Sequence, residues 1–122
     1  HVSLPIFNRG SLLTEIRNAN LNIKQRELEL EKRYRDLYSE IWMATLQART
    51  CYEQYIASLN QVSAVEESFK YAQKQFDLGL LTPFDYNYTR NQLHKARSES
   101  IQAKYKYLFH LKIIDYYQSE TE

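Results

Sequence analysis

The sequence predicts an all-α fold: a long antiparallel helical hairpin of coiled-coil type, with a helix of about 70 residues followed by a return helix of about 35. Three observations carry this. Only two glycines and two prolines stand among 122 residues, which leaves too little turn material for a fold of many elements. A seven-residue, mostly apolar repeat keeps its register from Ile16 to Phe76. One stretch, from Gln75 to Asp85, holds a helix-stop signal followed directly by a helix-start signal.

Residues 1–7 read as the end of a strand or a linker. Val2, Leu4 and Ile6 alternate with His1, Ser3 and Pro5, and Pro5 argues against a central strand position. The long helix is expected over 8–78, with either Asn8 or Ser11 as its cap. Its seam has two series. One is Ile16, Ile23, Leu30, Leu37, Ala44, Cys51, Ser58, Val65 and Ala72; the other is Asn20, Glu27, Tyr34, Ile41, Ala48, Tyr55, Val62, Phe69 and Phe76. Fifteen of these eighteen are apolar or aromatic, so the register holds over nine heptads and implies a left-handed supercoil. The opposite face (Asn18, Gln25, Lys32, Ser39, Leu46, Glu53, Asn60, Glu67, Lys74) is mostly polar. Glu29/Arg33, Glu31/Arg35 and Glu66/Lys70 are spaced for i,i+4 ion pairs.

The tip is expected over 79–82. Gly79 suits the residue just past a helix end, where the backbone turns left-handed and a Cβ would clash. Thr82 suits an N-cap and Pro83 the first helical position. Asp85, three residues after Thr82, is placed for its carboxylate to accept from the Thr82 N–H near the positive helix end. Helices joined by so short a loop run antiparallel. The return helix is expected over 83–117, on a seam of Tyr86, Thr89, Leu93, Ala96, Ser100, Ala103, Tyr107, His110, Ile114 and Tyr117. Ile101, Leu108 and Leu111 widen its apolar stripe, which suits more than one neighbour. The polar tail 118–122 is expected to fray.

At ~1.5 Å per residue the first helix is about twice as long as the second, which can cover it only from about Met43 to Leu78. Ile16, Ile23, Leu30, Tyr34, Leu37, Tyr38, Ile41 and Trp42 are then left without a partner. Burying one such side chain is worth ~1.5–3 kcal/mol, so something else must cover them: another copy of the chain or the rest of a larger protein. Self-association is expected of the isolated chain.

Composition narrows the function. Sixteen basic and fifteen acidic residues, well mixed, give a net charge of +1 and no reason to propose nucleic acid as a partner. No apolar run approaches the ~20 residues of a membrane-spanning helix. The lone Cys51 sits on the seam as a small hydrophobe. His94 and His110 lie sixteen residues apart with no third ligand at metal spacing, so no metal site is expected. The eleven tyrosines read as helix packing. No nucleophile–base arrangement or phosphate loop is found, and a two-helix hairpin offers little concavity for a substrate. No catalytic residues and no cofactor are expected.

Three blocks, in order and over nearly all of the chain, resemble the TolC family of outer-membrane efflux channels. The first is Leu4-Pro5-Ile6-Phe7-Asn8-Arg9-Gly10, similar to the family's passage from a barrel strand into a channel helix. The second is Tyr71 and Ala72 followed by Phe76, Gly79, Thr82, Asp85 and Tyr86, similar to its periplasmic hairpin tip. The third is Ala103-Lys104-Tyr105-Lys106-Tyr107-Leu108, similar to its Ala-basic-Tyr-x-Tyr-Leu block.

The resemblance implies the second-repeat hairpin of a longer protomer, one of three in a channel with an outer-membrane β-barrel and a periplasmic helical tunnel. It implies a passive conduit, not an enzyme, for cargo passed on by an inner-membrane pump and a periplasmic adaptor. It implies adaptor binding at Leu78, Gly79, Leu80, Leu81 and Thr82, with Leu78 where the family has Val. It also implies a channel constriction at Phe76 and Asp85. Tyr88 stands where some members have a second acid, and Leu81 where some have a basic gating residue. Read from position alone, Asp85 is a helix cap, a role that coexists with facing a pore, and Leu80 and Leu81 either pack under the turn or dock. The reading from another class is a free-standing antiparallel coiled coil used for dimerisation or scaffolding.

Overall fold

The computed structural model describes residues 6–121, with side chains from residue 9 onward. Two helices make up nearly all of it: α1 spans Ile6–Asp77 and α2 spans Pro83–Glu120. No strand occurs among the described residues, so the expected all-α hairpin is what the chain forms. The chain divides into two compact units, His1–Glu40 and Ile41–Glu122.

The second unit contains the hairpin. Every α2 seam position from Tyr86 to Tyr117 is buried or half-buried, and so is every α1 seam position from Ile41 to Ala72. The buried centre is Ala44, Ala48, Cys51 and Ala72 of α1 with Leu93, Ala96 and Ser100 of α2. All but Leu93 are small, and small side chains at the contact let two helices approach closely. Larger rings close the seam further along. Tyr52 meets Tyr107 at 5.3 Å between ring centroids, and Tyr86 sits between Phe69 at 5.6 Å and Phe76 at 4.5 Å. The polar-face positions Leu46, Glu53, Asn60, Glu67 and Lys74 are exposed.

Glu66, expected to pair with Lys70 one turn on, crosses to α2 instead. Arg97 donates from Nη2 at 2.7 Å and from Nε at 3.2 Å to Glu66 Oε1. A guanidinium brings two converging donors to one carboxylate, which an ammonium on the same helix does not. Both side chains remain partly exposed, so the pair contributes ~1 kcal/mol at most. On α2, Leu111 is half-buried, whereas Ile101 and Leu108, which widen the stripe, stay exposed.

The first unit is a stretch of α1 alone. From residue 9 to residue 40 every side chain is exposed except Leu37, which is half-buried. Ile16, Ile23, Leu30, Tyr34 and Tyr38 thus lie open, as the length argument requires. In the second unit Trp42 is exposed too, whereas Ile41 is half-buried. The Glu31–Arg35 pair forms at 2.6 Å; among the described residues Glu29 and Arg33 make no ion pair.

Both outer ends differ from expectation. Ile6 and Phe7, expected to finish an extended segment, are already helical, and residues 1–5 lie outside the described residues. Three alternating apolar residues do not specify a strand, whereas extending an existing helix adds a hydrogen bond for each residue fixed. The helix therefore runs through Asn8 and Ser11, and neither caps it. Gly10 is absorbed in the helix, with the Thr14 hydroxyl on its carbonyl at 2.8 Å. At the other end α2 passes the expected Tyr117 and reaches Glu120. Polar side chains satisfy its last turn. Ser119 Oγ donates to the Tyr116 carbonyl and Thr121 Oγ1 to the Gln118 carbonyl, each at 2.8 Å. The Tyr116 hydroxyl donates to Glu120 at 2.8 Å, and that bond to a carboxylate raises the Tyr116 pKa above the ordinary tyrosine value.

Candidate functional site

The tip joining the helices comprises residues 78–82, and hydrogen bonds fix both of its ends. Gly79 has φ +72°, the one positive φ among the described residues. With the chain turned left-handed there, Leu80 N–H reaches the Gln75 carbonyl and Gly79 N–H the Phe76 carbonyl, each at 2.9 Å. These two bonds form a glycine C-cap and occupy carbonyls that the helix end would leave open. Leu78 N–H still donates to Lys74 at 3.1 Å, so the last helical turn is closed as well.

Thr82 opens α2. Its backbone is extended (φ −72°, ψ 151°), its Oγ1 accepts from Asp85 N–H at 3.1 Å, and its carbonyl accepts from Tyr86 N–H at 3.0 Å. The capping role read from Thr82-Pro83-x-Asp85 is present, but one bond differs. The Asp85 carboxylate accepts from the Thr82 hydroxyl, at 2.7 Å, where the sequence suggested the Thr82 N–H. The reciprocal bond to the cap's N–H is normally made by Glu or Gln, and Asp is one methylene shorter. The Thr82 hydroxyl thus accepts from the Asp85 backbone and donates to its side chain, and the two residues brace each other.

The bracing leaves large apolar side chains standing in solvent. Leu78 and Leu80 are each 74% exposed, while Leu81 is half-buried. Of the two leucines read as either packing or docking, Leu80 therefore points out and Leu81 packs partly under the turn. The most exposed large hydrophobic side chain at the tip is Phe84, at 79%. Sequence reasoning passed over it. The available signal was its position two residues before Tyr86, off the α2 seam and hence on the outward face.

The residues that the resemblance assigns to a constriction each have their own surroundings. Phe76 stacks on Tyr86 with an interplanar angle of 23° and so continues the seam. Asp85 is held by Thr82. Tyr88, one turn beyond Asp85, is exposed. Asp85 and Tyr88 share a helix face by their i,i+3 spacing.

Among the described residues no group of three or more His, Cys, Asp or Glu is placed to hold a metal ion, and no helix is long and apolar enough to cross a membrane. What this end of the molecule offers is a surface: a rigid apolar turn presented between two helix ends. A family model described as outer membrane efflux protein matches residues 1–111. No curated protein and no solved structure matches the chain.

Proposed function

The chain belongs to the outer membrane efflux protein family, a family of transport channels, and on that premise we propose that its hairpin is a periplasmic tunnel segment that docks a periplasmic adaptor at the tip. In this reading the full-length protein is a homotrimer, and it conducts substrates exported by an inner-membrane pump without chemistry of its own. The observation that carries the docking role is the tip itself. Leu78 and Leu80 stand 74% exposed on a turn whose two ends are both capped by hydrogen bonds. A docking surface profits from such rigidity, because little loop freedom remains to be lost on binding.

Family membership also supports a role for the uncovered half. The open seam from Ile16 to Tyr34 fits a helix flanked by other tunnel helices in the assembled channel. Phe76, Asp85 and Tyr88 are proposed as the constriction-lining positions just beyond the tip.

The test is photo-crosslinking in cells, from a probe replacing Leu80 in the full-length channel. A crosslink to a periplasmic adaptor is expected. Its absence, with the channel correctly inserted in the outer membrane, would move adaptor contact away from the tip and overturn the docking role.

A further inference from the structure

Between Asp77 and Asp85 the tip carries no charged side chain; it reads Leu78-Gly79-Leu80-Leu81-Thr82-Pro83-Phe84. Its three outward hydrophobic side chains, Leu78, Leu80 and Phe84, are all at least 74% exposed. Phe84 belongs to the first turn of α2, and the Thr82–Asp85 bracket fixes the backbone under it. An aromatic ring has few torsions to order, and such a ring on a fixed backbone suits an anchor that fills a pocket.

Asp77 adds a second observation. It is the last residue of α1, where the carbonyl ends of the helix already carry partial negative charge. A carboxylate there is unfavourable to its own helix, and Lys74 in the same turn offsets it without forming an ion pair with it. Among the described residues it has no ion-pair partner. An exposed acid without an ion-pair partner, beside an exposed apolar knob, is complementary to a cation on a docking partner.

We propose, building on the adaptor-docking reading, that Phe84 is the anchor of the tip, entering an apolar socket on the partner whose rim carries a basic side chain that meets Asp77. A second copy of this chain does not fit the description. Two tips meeting end to end would set Asp77 against Asp77, and like charges facing each other across an interface are repelled.

The experiment uses the full-length channel in cells with the photo-crosslinking probe at Leu80, comparing Phe84→Ala, Phe84→Leu and Asp77→Lys with the unsubstituted protein. Truncating an anchor typically weakens binding tenfold or more, so Phe84→Ala is expected to cut the adaptor crosslink about tenfold while Phe84→Leu keeps most of it. Because Phe84 is exposed, its truncation is expected to leave the unfolding midpoint of the hairpin unchanged. Asp77→Lys separates docking from folding, since it should raise that midpoint by suiting the helix end and yet weaken the crosslink. An undiminished crosslink in Phe84→Ala would overturn the anchor while leaving adaptor docking intact. A crosslink from the unsubstituted tip to a second copy of the channel, or to no protein, would overturn both.

Discussion

Replacing Gly79 isolates a single energetic contribution. A Cβ built on Gly79 meets nothing within 4 Å, so no neighbour has to move. The cost of a side chain there is therefore the cost of φ +72° alone. For alanine that conformation costs ~1–2 kcal/mol, and stiffening of the unfolded chain offsets ~0.4–1 kcal/mol, for a net destabilisation of about 1 kcal/mol. Asparagine tolerates the left-handed region and should cost about half as much. Valine, branched at Cβ, should cost more than alanine. The assay is urea unfolding of the 122-residue chain followed by far-UV circular dichroism. With a slope of ~1–2 kcal/mol per molar, Gly79→Ala should lower the midpoint by about 0.5–1 M at unchanged slope. Amide exchange at Gly79 and Leu80 should accelerate in the same order, because those amides donate to Phe76 and Gln75 only while the turn is left-handed. The reasoning fails if alanine is neutral or stabilising, or if the order of asparagine, alanine and valine is not kept.

The other expectations concern the helices around the tip. Leu93→Ala empties the largest side chain of the buried centre, 4% exposed, and should cost ~2–5 kcal/mol in the same unfolding assay. Thr82→Ala removes the hydroxyl that both accepts from and donates to Asp85 and should cost ~1 kcal/mol. A double-mutant cycle on Glu66→Ala and Arg97→Ala should give a coupling of ~0.2–1 kcal/mol, shrinking when the cycle is repeated in high salt. The isolated chain should self-associate through the open seam of its first unit. Light scattering is the check, and a well-folded monomer at micromolar concentration would contradict it.

The seam and the turn were legible in the sequence because each rests on short-range rules. A seven-residue repeat states which face of α1 meets α2, and the burial of Ala44, Ala48, Cys51 and Ala72 follows it residue by residue. Gly79, Thr82 and Pro83 state where one helix ends and the next begins, through backbone preferences that act over three or four residues. What was missed depends on geometry across the fold or on the lack of a partner. The turn of Glu66 toward Arg97 joins residues 31 apart in sequence, and i,i+4 spacing favoured Lys70. Residues 1–7 were read as the end of a strand or a linker, partly from an alternation of Val2, Leu4 and Ile6 that has no partner strand among the described residues, and Ile6 and Phe7 are helical. Phe84 escaped notice because a search for apolar periodicity finds residues that face a core, and this one faces away from it.

Because both ends of the five-residue tip are locked, the turn acts as a phase setter for the hairpin. One residue inserted just after Pro83, in the first turn of α2, would rotate the helix beyond it by about 100°, swinging Arg97 away from Glu66 and Tyr107 away from Tyr52. Growth within a helix faces the same constraint, since the seam returns to itself only after a whole heptad. A hairpin of this design therefore changes length in discrete steps, with seven residues added to α1 matched by seven added to α2. Each step carries the tip about 10 Å further out and leaves every seam contact in register. Reach is thereby quantised, and distance to a partner can be tuned only in increments of that size.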